Sequence, residues 1–119
     1  MESTKRQGPV LVICRYKPRD GRDDDVRALV ARHAPVLIAE SLVTDRPFVH
    51  ATAADGSLLE IFEWRSEEAS RSAHSNPAVM EIWGGLAECA SFAPLAELPE
   101  TQNPFAHFTP LDPDPASGV

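Results

Sequence analysis

The stretch PFVHATAADGSLLEIFEW, residues 47–64, decides the fold of this 119-residue chain. Two runs rich in β-branched and aromatic residues, 47–54 and 57–64, flank the dipeptide Asp55-Gly56. Such a dipeptide between two apolar runs is a strong signal for a two-residue β-hairpin turn. We therefore predict two antiparallel strands joined by a tight turn.

One strand and one helix are predicted before this hairpin. Residues 9–16 (PVLVICRY) are apolar and lie between proline-containing breaks, which is typical of a buried strand. A turn at residues 19–24 leads into a helix whose apolar residues recur at helical spacing. Pro35 lies inside that helix, and an interior proline costs on the order of 3 kcal/mol. We expect the helix to kink there, or a second segment to begin.

A two-part helix is predicted after the hairpin. Ser66 is a helix N-cap, and this first part stops near His74. Asn76 and Pro77 restart the helix as its N-cap and first residue. The chain then leaves the helix through residues 92–99, which we interpret as a further helical turn and an exit.

The last predicted element is a short fourth strand at residues 104–109 (PFAHFT). The resulting order β-α-β-β-α-β predicts an α+β, ferredoxin-like fold, with a four-stranded antiparallel sheet and helices on one face. Residues 9–110 would form this domain. Residues 1–8 would form a flexible N-terminal tail and residues 111–119 a Pro-rich C-terminal tail.

Strands one and three carry apolar side chains on both faces, although helices on one side can cover only one of them. On strand three, Leu59 and Ile61 alternate with Leu58, Phe62 and Trp64. A second copy of the chain would cover the other face most simply, because two-fold dimers are the commonest oligomers. The pattern therefore predicts a homodimer formed through the sheet face.

Composition and charge narrow the possible partners and locations. The formal net charge of −7 argues against a nucleic-acid surface, which needs clustered Lys and Arg. The polar residues 1–8 and the short apolar run that follows resemble neither a signal peptide nor a membrane span, so we expect a cytoplasmic protein with no membrane partner. Cys14 and Cys89 show no metal-binding spacing and are expected to be buried, reduced thiols.

One part of the chain resembles a known family. Residues 59–69 (LEIFEWRSEEA), followed by His74 and then by residues 76–79 (NPAV), look like the central motif of the antibiotic biosynthesis monooxygenase-like domains. These domains belong to the dimeric α+β barrel superfamily, and the resemblance covers about residues 9–110. It implies a dimer and one of three functions: oxidation of phenols by molecular oxygen without a cofactor, degradation of haem, or no established activity.

The resemblance also separates these functions. The Asn, Trp and His that haem-degrading members use fall at Cys14, Ala73 and Trp83, and none of the three matches. No cofactor is therefore expected. Quinone-forming members use a Trp, an Asn and an Arg near the pocket, and of these the chain offers Trp64.

Three residues are candidates for catalysis. His74 could hold a phenolic proton, since imidazole titrates near neutral pH, or it could cap the carbonyl groups at its helix end. Trp64 could form an aromatic wall for a flat substrate, or simply pack in the core. Glu60 lies among apolar groups, so either its pKa is raised and it acts as a base, or it is paired. We prefer the pair, with Arg15 or an arginine across an interface as its partner.

Phe62, Trp83 and His50 are the candidate ligand-binding side chains, although the simplest interpretation of Trp83 is a core residue. His50 and His107 could supply half of a metal site, but no further ligand stands at suitable spacing, so no metal is expected. Two functions stay open: a cofactor-independent monooxygenase acting on a small aromatic compound, and a non-catalytic homodimer that binds a small ligand or has a structural role.

Overall fold

The computed structural model describes residues 8–111, 114 and 115, so most of both predicted tails lies outside the described residues. The described chain is an α+β fold with five strands and three helices. The strands are β1 (Val10–Pro18), β2 (Val49–Thr52), β3 (Leu58–Trp64), β4 (Ala90–Phe92) and β5 (Thr109–Pro110). The helices are α1 (Asp23–Ala39), α2 (Glu67–Ala73) and α3 (Pro77–Cys89), and two 3₁₀ turns follow at Leu95–Glu97 and Pro99–Gln102.

The sheet is antiparallel throughout and has the order β4-β1-β3-β2-β5. Its two central strands pair from Val10 opposite Trp64 to Tyr16 opposite Leu58. The predicted hairpin is confirmed, because β2 pairs with β3 directly across the turn at Gly56.

The prediction of four strands, with the fourth at residues 104–109, was wrong. The strand that follows α3 is β4, which pairs with β1 as soon as the helix ends at Cys89. Pro94 and Pro99 then favour the 3₁₀ turns that replace the predicted helical exit. Of the predicted strand at residues 104–109, only the last residue belongs to β5. This short strand pairs with β2 at the opposite edge of the sheet.

Helices α2 and α3 follow the predicted capping signals. The Ser66 side chain accepts a hydrogen bond from the backbone N–H of Ala69, and that of Asn76 accepts from two N–H groups of α3, which confirms both N-caps. The alternative in which a second segment begins at Pro35 was wrong, because α1 continues through that residue as one helix. A proline removes one N–H donor, and the neighbouring buried residues Ala34 and Leu37 keep that turn packed.

The main core lies between the helices and one face of the sheet, here called the helix face. Two apolar clusters fill this space, and they join β1 and β3 to all three helices. Their fully buried members include Val26, Val30 and Leu37 of α1, Phe62 of β3, and Val79, Ile82 and Leu86 of α3. No helix in the described ranges is both long and apolar enough to cross a membrane.

The opposite face of the sheet, here called the open face, is covered at one end by the chain itself. Leu98 from the 3₁₀ segment packs on Leu59 of β3, together with the partly buried Phe108. At the other end of the open face, the described part of the chain leaves apolar side chains exposed. There Leu11, Ile13 and Val49 are 57%, 47% and 52% exposed. Within residues 8–111, therefore, the apolar side chains on the open face are covered at one end of the strands and exposed at the other.

Candidate functional site

A cavity of about 440 Å³ lies beside β1, where the helix face of the sheet meets the α2–α3 junction. Its lining is mainly aromatic, with Phe62 and Trp64 from β3, Phe92 from β4 and Trp83 from α3. Two histidines, His33 of α1 and His74 between α2 and α3, also line it, as does Tyr16 of β1. Ligand pockets typically enclose about 300–1,000 Å³, so the cavity has the size of a small-molecule site.

Four of the six predicted site residues therefore meet at one cavity: Phe62, Trp64, His74 and Trp83. The ring of Trp83 is their common neighbour. Its centroid lies 4.9 Å from that of His74 and 6.4 Å from that of Trp64, both in edge-to-face geometry. Such contacts hold aromatic rings in fixed orientations, so the cavity walls are preorganised.

His74 makes the helix-end contact that was one of its two predicted roles. It ends α2, and its ring Nδ1 lies 3.2 Å from the carbonyl oxygen of Ser70, so Nδ1–H donates to a helix-end carbonyl. In that tautomer, Nε2 carries a lone pair. The side chain is exposed and lines the cavity, which places a hydrogen-bond acceptor among aromatic walls.

Glu60 lies behind the cavity, is completely buried and accepts three hydrogen bonds. The hydroxyl of Tyr16 donates to Oε1 at 2.6 Å and His33 Nδ1–H donates to the same oxygen at 2.8 Å. His50 Nε2–H donates to Oε2 at 2.9 Å. Glu60 is paired, as expected, but with two histidines and a tyrosine.

The prediction that Arg15 pairs with Glu60 was wrong, and the strand register explains why. Cys14 stands directly opposite Glu60, so the side chain of Arg15 projects from the other face of the sheet. There its guanidinium bonds Ser57, the carboxylates of Asp55 and Glu97, and a carbonyl oxygen of the 3₁₀ segment.

The alternative of a raised pKa on Glu60 was also wrong. Burial raises the pKa, but the hydrogen bonds from His33, His50 and Tyr16 outweigh it and hold the pKa at about 2. Burial acts against the charged form of His50, yet its carboxylate neighbours raise its pKa above the ordinary 6.5. Burial and the nearby Glu60 raise the pKa of Tyr16, which keeps its hydroxyl a donor.

His33 is a site residue that the sequence did not single out. It is 1% exposed, and its Nε2 accepts a 2.9 Å hydrogen bond from the indole N–H of Trp83. Because Nδ1–H donates to Glu60, His33 joins the buried carboxylate to the cavity wall. The available signal was a histidine within the apolar stripe of α1, on the helix that packs over the strand carrying Glu60.

His50 lies behind the wall and does not line the cavity, although it was a candidate ligand-binding residue. Its Nδ1–H donates to Asp114 at 2.7 Å, opposite its bond to Glu60. Cys14 does line the cavity, and burial followed by the charge of Glu60 raises its thiol pKa to about 12. Within the described ranges, no three His, Cys, Asp or Glu residues are grouped so that they could hold a metal ion.

A larger depression of about 830 Å³ lies at the loop after α1 and includes Phe48, Arg65 and Asp114 in its lining. None of the six predicted residues lines it. The smaller cavity is therefore the better candidate site, since four chemically suited side chains converge there.

Comparison of the chain with protein-family models, with curated proteins and with solved structures gave no match. The similarity of residues 59–79 to the monooxygenase-like domains accordingly stays a prediction. Function is inferred below from the cavity, its aromatic walls and the hydrogen-bonded groups behind it.

Proposed function

We propose that the cavity binds a small, flat phenol and that the protein oxidises it with molecular oxygen, without a cofactor. One observation carries this proposal: His74 brings a hydrogen-bond acceptor to a cavity whose other walls are mainly aromatic. The resemblance of residues 59–79 to the monooxygenase-like domains points to the same class of reaction.

The walls suit a planar apolar ring. Trp64 and Trp83 meet edge to face, and Phe62 lies 5.0 Å from Trp64 between ring centroids. A bound aromatic compound would gain both apolar burial and ring contacts, the latter worth about 0.5–1.5 kcal/mol for each well-placed pair. A hydroxyl on that compound would need a polar partner, and His74 Nε2 is suited to accept from it.

Proton transfer to His74 would start the reaction. Removing the hydroxyl proton yields a phenolate, whose ring is more electron-rich than that of the phenol and would be the species that O₂ oxidises. For a phenol with a free para position, one oxygen atom enters the ring and the other leaves as water. The balanced change is phenol plus O₂ to quinone plus H₂O. The protein's part is to hold the ring, accept the proton and return it.

A second candidate function is ligand binding without turnover. It is favoured by the state of the buried polar groups, because Glu60, His33 and Tyr16 bond to one another or to Trp83. Within the described residues, His74 is then the single cavity group suited to accept a hydroxyl proton. Binding needs no more than that, whereas oxidation needs the phenolate to persist.

The experiment compares 1-naphthol with naphthalene, which differ by one hydroxyl. Tryptophan fluorescence should titrate with both compounds, and 1-naphthol should bind about tenfold more tightly, as expected for one hydrogen bond of about 1.4 kcal/mol. That preference should vanish in His74→Ala and persist in His107→Ala, whose histidine is exposed and outside the cavity lining. Equal preference in both variants would exclude this role of His74.

Oxygen consumption separates the two candidate functions. With 1-naphthol, the monooxygenase should consume one O₂ for each 1,4-naphthoquinone formed, in stoichiometric yield and without added metal or flavin. Saturable binding with no oxygen consumption would leave the binding function. Failure of both compounds to bind would reject the site itself.

The open face supports a further part of the proposal, a homodimer of the dimeric α+β barrel type. Leu11, Ile13 and Val49 form an exposed apolar patch on this face, here called the open-face patch. Clustered apolar side chains on a folded surface are typical of interaction sites. A second copy meeting the patch through its own would bury both in one self-complementary interface.

A further inference from the structure

We propose that Asp114, close to the C-terminus, is a positioning residue for the cavity, acting through His50, Glu60 and His33 to hold the indole of Trp83 in the wall. The four side chains and the indole form one continuous row of hydrogen bonds. The inference deepens the proposed function, because Trp83 is the ring against which His74 packs.

The first link ties the end of the chain to β2. Asp114 Oδ1 accepts from His50 Nδ1–H at 2.7 Å, and Oδ2 accepts from the backbone N–H of His50 at 3.0 Å. The backbone N–H of Leu111 donates to the carbonyl oxygen of His50 at 3.1 Å, so the approach to Asp114 is held as well. A carboxylate that accepts two bonds from one residue has a defined orientation.

The second link fixes the charge of His50. Its two ring nitrogens face two carboxylates, Asp114 at 2.7 Å and Glu60 at 2.9 Å, and a carboxylate can only accept. Both nitrogens must therefore donate, which makes His50 an imidazolium. This buried cation balances the buried anion Glu60, and Asp114 stabilises the cation from its outer side.

The third link fixes the tautomer of His33. The indole N–H of Trp83 can only donate, so the Nε2 that it faces carries a lone pair, and Nδ1–H is left to donate to Glu60 Oε1. Nε2 can then accept the indole N–H of Trp83 at 2.9 Å. The other tautomer would set two N–H groups against each other and leave Glu60 facing a lone pair, which would push the indole away.

The remaining polar groups around the row reinforce this arrangement. From β1, Tyr16 donates to Glu60 and the neutral thiol of Cys14 lies close to it. From the loop before β2, Phe48 stacks on His50 with ring centroids 6.3 Å apart. None of these three neighbours adds a charge, so the charged groups of the row are His50, Glu60 and Asp114.

The test reads the row directly by ¹⁵N NMR of histidine and tryptophan side chains in the full chain. In the wild-type protein, His50 should give two protonated ring nitrogens at neutral pH. Trp83 should show a through-hydrogen-bond coupling to His33 Nε2. Asp114→Asn should lower the titration midpoint of His50 by about one pH unit, as for loss of one close opposite charge. It should also speed exchange of the Trp83 indole proton about tenfold.

Asp45→Asn is the matched control, because it removes a carboxylate from the same larger depression without a bond to His50. It should leave both signals unchanged, and Asp114→Glu should restore part of each. Wild-type behaviour of Asp114→Asn, or absence of the Trp83–His33 coupling in the wild-type chain, would overturn the proposal. The Trp83–His33 coupling is measured on the wild-type chain, so this part of the test does not depend on whether a variant folds.

These signals do not depend on a ligand, so the two proposals fail separately. If 1-naphthol does not bind but Asp114→Asn shifts the His50 and Trp83 signals, the row stands and the proposed function falls. If 1-naphthol binds and the substitution leaves both signals unchanged, the site stands and Asp114 has no positioning role.

Discussion

Each face of the sheet buries a charged cluster. One is centred on Arg15 of β1 and the other on Glu60 of β3. Arg15 carries the cluster of the open face, whereas Cys14 stands opposite Glu60, the centre of the cluster on the helix face. Strand alternation separates them completely, because successive side chains project from opposite faces. Their surroundings then give the two buried charges different uses.

The Arg15 cluster connects segments of chain. Its guanidinium donates to Asp55 in the hairpin turn at 2.8 Å and to the 3₁₀ segment at Pro94 and Glu97. It therefore fastens a loop over the open face. The Glu60 cluster instead ends at a cavity wall, through His33 and Trp83. A buried charge has a structural role on one face and is coupled to a candidate site on the other.

The largest expected effect comes from removing the centre of the helix-face cluster. Glu60→Ala should lower the free energy of unfolding by about 3–5 kcal/mol, because it removes the buried carboxylate that faces His50 Nε2–H and leaves the donors of Tyr16 and His33 without their acceptor. Urea denaturation measures the loss. The indole signal of Trp83 should shift in the folded fraction, and an unchanged signal would disconnect Glu60 from the cavity.

A smaller effect is expected from Arg15→Met, which keeps most of the apolar stem. The loss should be about 1–3 kcal/mol, since the partner Glu97 is 62% exposed and can be solvated when the guanidinium is gone. Urea denaturation again measures it, and the Trp83 indole signal should stay in place. A shift of that signal as large as in the Glu60 variant would show that the two faces are not independent.

The fold could be predicted from the sequence where residues close together in the chain carry the signal, and not where distant residues decide it. Elements with a local signal were predicted well: the Asp55-Gly56 hairpin, and the N-caps at Ser66 and Asn76. The strand after α3 was missed because Ala90–Phe92 is too short to show alternation, and its pairing with β1 depends on where the helix ends. A two-residue strand such as β5 has no pattern of its own at all.

The same distinction between local and distant signals holds for the residues of the candidate site. Aromatic residues at a strand end and a helix end, such as Trp64 and His74, could be identified from the motif that carries them. The partner of Glu60 could not, because the choice between Arg15 and the histidines depends on a register difference of one residue. The contact of Asp114 with His50 could not be predicted either, because the two residues lie 64 positions apart in the sequence and no local pattern connects them.

The pH dependence of stability should show the helix-face cluster directly. The raised pKa of His50 means that its contribution is complete below the unfolded value of about 6.5. That contribution is lost as the pH rises through the higher folded value. Unfolding free energy should therefore fall above pH 6.5, by at most about 1.4 kcal/mol per pH unit for one proton.

His50→Gln should flatten this part of the profile, whereas His107→Gln, which changes an exposed histidine, should not. Chemical denaturation at a series of pH values gives both curves. Glu60 acts with the opposite sign at acid pH. Its contribution is present above the ordinary value of 4.5 and is lost as the pH falls towards about 2. An equal alkaline slope in wild type and His50→Gln would place the titrating group elsewhere.

The smallest effect on the folded chain, and the most informative about the open face, is expected from Ile13→Lys. Ile13 is 47% exposed within the open-face patch, so the monomer's unfolding free energy should change by no more than about 0.5 kcal/mol. The proposed dimer should nevertheless dissociate, because two lysine charges would be buried across a two-fold interface. Sedimentation velocity at micromolar concentration measures the dissociation.

Ile38→Lys is the matched control, since Ile38 is 59% exposed but lies on α1, away from the open face. It should leave the dimer intact. A wild-type monomer, or an Ile13→Lys dimer, would mean that the bare end of the open face is not an interface between copies. The internal cover made by Leu98 and Phe108 would then be all that the open face requires, and the cavity on the helix face would have to function within a single chain.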